Sequence, residues 1–131
     1  MNYMNEKQAL LLVDHGSLRS EANESIESIA DFLRTLHPQV IVHTAHMELA
    51  TPDIPTGIAR CVEAGAGEII VHPYMLSAGR HATEDIPRIV EQIAGTYPEV
   101  KFRVTPPLGV HHKLAEVVLE RSGLKPAAEI D

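Results

Sequence analysis

The chain has 131 residues, of which 44% are hydrophobic, and a formal net charge of −7. This length favours one domain, and the negative charge disfavours nucleic-acid binding, which normally needs a cationic surface. No apolar run approaches the roughly 18 residues of a membrane span, and residues 1–8 lack the apolar core of a signal peptide. The single cysteine, Cys61, cannot form an internal disulfide, so we expect a cytoplasmic protein.

A short apolar run, residues 9–13, is the first predicted element. It is too short for a globular helix, so it predicts a buried parallel strand. The polar turn Asp-His-Gly-Ser at 14–17 ends it. Apolar residues at helical spacing over 22–36 then predict a helix that Ser17 or Ser20 caps and that His37, before a proline, ends.

Two further strands with a helix between them follow along the chain. Residues 40–49 predict a second strand, and the Thr-Pro-Asp sequence at 51–53 predicts the start of a second helix, where proline is tolerated. The apolar stripe of this helix includes Cys61, which we therefore expect in the core. Residues 68–74 predict the third strand.

The second half of the chain repeats the alternation. After a loop at 77–81, Thr83 is expected to cap a third helix, and acidic residues after it favour the helix dipole. Pro87 is tolerated near the start of a helix, because the backbone N–H groups of the first turn make no hydrogen bond within the helix. Residues 100–104 predict the fourth strand.

A last helix follows the proline-rich turn at 105–109. Leu114, Val117 and Val118 recur at helical spacing, so we expect them to face inward. The chain ends, residues 1–8 and 125–131, are expected to be flexible.

The strict alternation of strands and helices defines the fold class. Right-handed crossovers give an α/β fold with an open, parallel four-stranded sheet and helices on both faces. A strand order of 2-1-3-4 is consistent with it. No linker interrupts the pattern, so residues 1–131 are expected to form one domain. In such sheets, ligands bind beyond the carboxyl ends of the strands.

Three turns of this fold open on that carboxyl edge. The first carries His15, the second carries Glu48 on the same strand face as His46, and the third carries His81. Two imidazoles and a carboxylate suit a divalent transition metal, and three protein ligands leave a position open for substrate. The simpler interpretation, solvated polar residues in turns, stays open at this point.

Four sequence fragments stand in order at the predicted strand ends. They are Asp-His-Gly-Ser at 14–17, Met-Glu-Leu-Ala-Thr-Pro at 47–52, Gly-Arg-His with Asp-Ile-Pro within 79–87, and Pro-Leu-Gly-Val-His at 107–111. Together they resemble the class II tetrapyrrole chelatases of the CbiX type, the sirohydrochlorin cobaltochelatases. The resemblance covers nearly the whole chain.

This resemblance implies a chelatase-like fold and insertion of a divalent metal into sirohydrochlorin, in cobalamin or siroheme biosynthesis. It implies that His15 and His81 are the catalytic, metal-handling pair, and that Glu48 is a further metal ligand. Cobalt is the expected substrate metal, nickel and iron are alternatives, and no organic cofactor is expected. The chain matches one of two similar domains in longer relatives, so a symmetric homodimer is expected to complete the cleft.

Sirohydrochlorin carries many carboxylates, whereas the chain is net negative. Local groups must therefore bind it, and the candidates are Ser17, Arg19, Arg80 and the nearby helix N-termini. Arg80 stands where the resembled family commonly has a small residue, and His72 stands where it has an apolar one. These departures place an extra cation and an extra imidazole near the site.

Two other functions are weighed against metal insertion. A metal or tetrapyrrole carrier would use the same ligands without catalysis. A histidine phosphatase resembles the segment around His15, but those enzymes place an arginine immediately before the nucleophilic histidine. Asp14 occupies that position here, and its charge would repel phosphate.

Overall fold

The computed structural model describes residues 7–77 and 79–127, and the side chain of His81 lies outside that description. Within these residues four strands and four helices alternate, which confirms the α/β class. Their bounds are β1 Lys7–Asp14, α1 Ser20–Leu36, β2 Ile41–His46, α2 Ile54–Glu63, β3 Ala66–Pro73, α3 Arg80–Ala94, β4 Lys101–Val104 and α4 His112–Ser122. The predicted flexible ends fall largely outside the description, and residues 7–8 already belong to β1.

The sheet is parallel, as predicted, and its order is β2-β1-β3-β4, the arrangement with which the sequence pattern is consistent. β1 is central, since Val13 pairs with Ala45 of β2 and with Pro73 of β3. The carboxyl ends of the three strands are therefore level. Consequently, the loops after β1, β2 and β3 meet at one edge of the sheet.

Alternate residues of β1 point to opposite faces of the sheet and build two cores. Leu11 and Val13 pack in the larger core, which also contains Ile58 of α2 and Ile86 of α3. Cys61 is fully buried there, as predicted. On the opposite face, Leu12 packs against Ile26 of α1.

The starts of helices α1 and α3 differ from the sequence predictions, whereas α2 starts where the sequence indicated. Asp53 caps α2, because its Oδ1 accepts a hydrogen bond from the N–H of Thr56 at 3.0 Å. The cap residue of α1 is Arg19, which makes no side-chain cap, so the prediction of a serine cap was wrong. His37 follows the end of α1, as predicted.

The third helix begins earlier than the sequence indicated. Its cap residue is Gly79, and its first residue is Arg80, so the cap at Thr83 was wrong. The N–H of Thr83 instead donates to the carbonyl of Gly79 at 3.0 Å within the first turn. Pro87 consequently lies inside α3 and not at its start.

Helix α4 has no buried residue. Val117 is 44% exposed and Val118 is 62% exposed, so the inward orientation predicted for them is wrong in the single chain. Leu114 is half-buried. Across the described part of the chain, no helix has both the length and the apolarity needed to cross a bilayer.

Candidate functional site

Backbone hydrogen bonds join the β1–α1 loop to the β2–α2 loop. The N–H of Met47 donates to the carbonyl of Asp14 at 2.8 Å, and the N–H of Glu48 donates to the carbonyl of His15 at 3.1 Å. These bonds extend the contact between the two chain segments beyond the last paired residues of the strands. The sequence placed His15 and Glu48 at one edge, and the structure brings their backbones into direct contact.

Gly16 permits this close approach. Its φ is +92°, a conformation that L side chains rarely adopt. A Cβ atom at this position would lie 1.8 Å from the carbonyl oxygen of Glu48 and 3.2 Å from the Cβ of His46. Glycine is therefore required for the loop that carries His15 to pack on the loop that carries Glu48.

A buried polar pair lies where β1 and β2 end. The Nδ1 of His46 is 2.6 Å from the Oδ1 of Asp14, and His46 is 3% exposed. The backbone N–H of His46 donates to the carbonyl of Pro52 at 2.8 Å. His46 thus supports the loops from within. The sequence pattern assigned it no role, although its register partnership with Asp14 would have indicated one.

Glu48 reaches the edge by a different route from the one predicted. β2 ends at His46, so Glu48 lies in the following loop and strand alternation does not relate the two side chains. The backbone bends sharply here, with Leu49 at φ +71°. The side chains of Glu48 and His15 are both exposed at this edge.

His81, the other predicted metal-handling residue, is the second residue of α3. Its backbone therefore stands in the first turn of the helix that follows β3, at the same edge of the sheet. Among the described side chains, which do not include His81, no group of three His, Cys, Asp or Glu residues is close enough to hold a metal ion. The ligand set of His15, Glu48 and His81 stays a prediction.

The predicted substrate-binding residues occupy the same edge. The Oγ of Ser17 accepts a hydrogen bond from the N–H of Arg19 at 3.0 Å, and the side chain of Asn23 bonds both backbone groups of Ser17. Ser17 therefore shapes the loop. Arg19 is exposed, and the side chain of Arg80 is 87% exposed with its Nε 3.6 Å from a carboxylate oxygen of Glu84.

The last two loops are joined as well. The N–H of Leu108 donates to the carbonyl of Met75 at 2.9 Å, and the N–H of Gly109 donates to the carbonyl of Leu76 at 2.8 Å. The N–H of Tyr74 donates to the carbonyl of Val13 at 2.7 Å. All four strand–helix loops consequently gather at the carboxyl edge.

Three exposed leucines surround this edge, one in each of the first three loops. Leu18 is 85% exposed, Leu49 58% and Leu76 65%. Exposed leucines from three separate loops form an apolar rim beside the polar groups. Sequence reasoning missed them, although each is an apolar residue in an otherwise polar turn.

His72 lies apart from these groups. It belongs to β3, and its Nδ1 is 2.8 Å from the Oγ1 of Thr105. It lines a cavity of about 310 Å³ between the sheet and α1, together with Leu10, Leu33 and Tyr74. Burial lowers the pKa of His72, so the imidazole is neutral near pH 7. The extra imidazole therefore faces the cavity on the α1 side of the sheet.

Comparisons with known proteins agree with this architecture. The chain is 36% identical over 120 residues to the chloroplastic sirohydrochlorin ferrochelatase of Arabidopsis thaliana, covering 92% of the chain and 53% of that protein. It is 32% identical over 127 residues to the sirohydrochlorin cobaltochelatase of Methanococcoides burtonii, covering 91% of the chain and 97% of that protein.

The solved structures give the same result. The sirohydrochlorin chelatase SirB of Bacillus subtilis subspecies spizizenii, in complex with cobalt, superposes with a TM-score of 0.82 at 30% identity. The match covers 89% of the chain and 50% of the SirB chain. The chain spans about half, or less, of the first curated relatives that it matches. The CbiX family model matches residues 9–123, and the chain therefore belongs to the CbiX family.

Proposed function

We propose that the protein inserts a divalent metal, Co²⁺, into sirohydrochlorin at the carboxyl edge of the sheet. The observation that carries this proposal is the direct backbone contact between His15 and Glu48, with His81 in the first turn of α3 at the same edge. Family membership supports the reaction class, since relatives named as cobaltochelatases and as ferrochelatases match the chain.

The chemistry exchanges two pyrrole N–H protons for one M²⁺ ion. His15 and His81 would hold the partly dehydrated metal as neutral imidazoles and later receive protons. Glu48 would hold the ion or accept a proton. The exposure of His15 and Glu48 favours this role, because a substrate metal must arrive from solvent and leave with the macrocycle.

Macrocycle binding needs both apolar and cationic groups. The leucine rim of Leu18, Leu49 and Leu76 offers an apolar surface to the face of the ring. Arg19 precedes the first residue of α1 and Arg80 is the first residue of α3, and both would bind the substrate carboxylates there. A cleft complementary to a bent ring would lower the barrier to metal entry.

Cobalt is favoured because cobaltochelatases of Methanococcoides burtonii and Methanosarcina barkeri match the chain over nearly their whole length. Nickel and iron remain the alternatives, since imidazole and carboxylate ligands bind all three ions. Because longer relatives carry about twice the length, we further propose that two copies of this chain form a homodimer that completes the cleft.

The test is a metallation assay that follows the absorbance of sirohydrochlorin with Co²⁺, Ni²⁺ and Fe²⁺ at equal free concentrations. We expect the fastest insertion with Co²⁺, and a rate at least about 100-fold lower for His15→Ala and for His81→Ala, since each removes a metal-handling group. His37→Ala is the matched control, because His37 is an exposed histidine at the far end of α1.

Three outcomes would overturn parts of the proposal. Near-normal rates in both the His15 and the His81 variants would show that these residues are not the metal-handling pair. Metal binding without faster metallation would identify a carrier. Faster insertion of iron or nickel than of cobalt would contradict cobalt as the substrate metal but would still support metal insertion as the reaction.

A further inference from the structure

Leu49 has a backbone conformation that leucine rarely adopts. Its φ is +71°, in the left-handed region where the Cβ atom of an L-residue comes too close to the following carbonyl oxygen. Among the residues that the structure describes, the others at positive φ are all glycines, namely Gly16, Gly65, Gly109 and Gly123. Glycine adopts this region without strain. Leu49 is therefore the exception in a chain that otherwise places glycine there.

The side chain of Leu49 contributes little to the fold in return. It is 58% exposed and belongs to neither of the two cores. Met47, two residues earlier, packs against the larger core and holds the same loop from inside. A smaller residue at position 49 would leave that contact in place. The free protein therefore gains little from a leucine at this position.

Hydrogen bonds on both sides of Leu49 hold its loop in place. The N–H of His46 donates to the carbonyl of Pro52 at 2.8 Å, which closes the loop, and the N–H of Glu48 donates to the carbonyl of His15 at 3.1 Å. Strained backbone persists only where the surrounding structure fixes it, and such residues cluster at sites that bind ligands. Leu49 is therefore presented at the carboxyl edge by a loop with fixed ends.

The position of Leu49 limits what its side chain can contact. It directly follows Glu48, whose backbone contacts His15, and these two residues are candidate metal ligands. A macrocycle that receives its metal from them must lie over them, and the faces of its pyrrole rings are apolar. Leu18 and Leu76 border the same edge, but neither has a positive φ. Leu49 is thus the rim leucine whose presence the backbone opposes.

We propose that Leu49 is a specificity-determining residue whose side chain packs on the face of the macrocycle and holds the ring over His15 and Glu48. The proposal deepens the proposed function and rests on it, since it takes sirohydrochlorin as the ligand. Leucine surface that is buried in the complex offsets the strain that the free protein carries. Substitutions at position 49 therefore change stability and tetrapyrrole affinity in different ways.

The first test compares the stability of Leu49→Ala and Leu49→Gly by urea denaturation. Both variants lack the leucine side chain, but only glycine relieves the backbone strain. We expect a higher urea midpoint for Leu49→Gly than for Leu49→Ala. Phe32, 67% exposed within α1, is the control position, where the alanine variant should be the more stable one. A lower midpoint for Leu49→Gly than for Leu49→Ala would show that position 49 is not strained and would overturn the proposal.

The second test measures affinity for metal-free sirohydrochlorin by absorbance titration. Leu49→Ala and Leu49→Gly should both weaken binding by at least about fivefold, because both lack the contact with the ring. Leu36→Ala should leave the affinity unchanged, since Leu36 is an exposed leucine at the far end of α1. Unchanged affinity in Leu49→Ala would overturn the proposal. Weak binding by only one of the two Leu49 variants would assign the effect to the backbone and would overturn it as well.

Two further measurements separate this proposal from its alternatives. Sedimentation equilibrium should give the same mass for the Leu49 variants as for the unmodified protein. A changed mass would show that a second copy covers Leu49 and would overturn the contact with the ring.

Metallation is assayed on the same samples. If the unmodified protein binds sirohydrochlorin without metallating it, the chelatase function is contradicted, whereas weaker binding by both Leu49 variants would still support the contact with the ring. An active protein whose tetrapyrrole affinity does not depend on Leu49 would contradict this proposal alone.

Discussion

The Nδ1 of His46 lies 2.6 Å from the Oδ1 of Asp14, directly beneath the loops that carry His15 and Glu48. The two residues are register partners on β1 and β2, and the His46 side chain is 4% exposed. The pair satisfies polar groups that burial would otherwise leave without partners. It also fixes the ends of two strands from which candidate metal ligands project.

We expect Asp14→Ala to lower the free energy of unfolding by about 1–3 kcal/mol, because it leaves the buried imidazole without its partner. Asp14→Asn retains an oxygen at the same position and should cost less. Urea denaturation of both variants and of His46→Ala measures these costs. If the effects of Asp14→Ala and His46→Ala simply add in the double variant, the two side chains are not coupled.

Gly16→Ala should be strongly destabilising. The new methyl group would lie 1.8 Å from the carbonyl oxygen of Glu48, and the backbone at φ +92° would itself be strained by about 1–3 kcal/mol. We expect a total loss of at least about 2 kcal/mol and a displaced Glu48 loop. Thermal unfolding reports the loss, and a crystal structure of the variant reports the displacement.

Gly95→Ala is the matched control for this substitution. Gly95 has φ −63°, and a Cβ there would meet its nearest neighbour at an ordinary 3.6 Å. We expect a change in unfolding free energy within about 0.5 kcal/mol. Equal destabilisation by the two alanines would show that the contact with Glu48 is not the reason for glycine at position 16.

Arg80→Ala should raise KM for the tetrapyrrole more than it lowers kcat. The guanidinium is largely exposed at the first residue of α3, with Glu84 3.6 Å away, and remains accessible to a substrate carboxylate. We expect KM to rise about fivefold, equivalent to about 1 kcal/mol. Arg88→Ala on the same helix, where Arg88 pairs with Asp85 at 2.7 Å, is the control. An unchanged KM for Arg80→Ala would show that Arg80 does not bind the substrate.

His72 should make the fold less stable at acidic pH. Burial lowers its pKa below the ordinary value of 6.5, so between these two values the unfolded chain binds more protons than the folded one. Stability is therefore full above about pH 6.5 and falls as the pH decreases through that window. His43, whose pKa is lowered first by burial and then by Arg34 and Arg60, acts in the same direction.

The measurement compares unfolding free energies at pH 7.5 and pH 5.0. His72→Gln retains a polar side chain opposite Thr105 but does not titrate, so its loss of stability on acidification should be smaller than in the unmodified protein. Because His43 is present in both proteins, its contribution cancels. An identical loss in the two proteins would show that His72 is not protonated on unfolding in this range.

The strands and their parallel direction followed from local pattern and handedness, whereas the order β2-β1-β3-β4 was only consistent with them. Short apolar runs alternating with helical periodicity permit few arrangements once crossovers are right-handed. The same rule places His15 and the start of α3 at one edge of the sheet, because parallel strands end on the same side. The residues of the candidate site could therefore be chosen from the sequence.

The contacts that join these residues are decided by tertiary structure. The sequence pattern extended β2 through Leu49, whereas the strand ends at His46 and the chain continues as a loop whose N–H groups bond to the carbonyls of Asp14 and His15. Asp14 and His15 lie more than 30 positions before the residues that bond to them, and no local periodicity encodes such contacts. The pairing of Asp14 with His46 is non-local for the same reason.

Helix α4 shows the limit of sequence pattern most plainly. Its apolar spacing is a property of the chain and predicts a helix, which is present, with an inward-facing side, which is not. Whether that side meets its own sheet depends on the direction of the preceding turn, which Leu108 and Gly109 set through bonds to the neighbouring loop. The sequence by itself determined which side of the helix is apolar, whereas only the tertiary structure decided that its own sheet does not bury that side, because burial depends on position in space and periodicity depends on spacing along the chain.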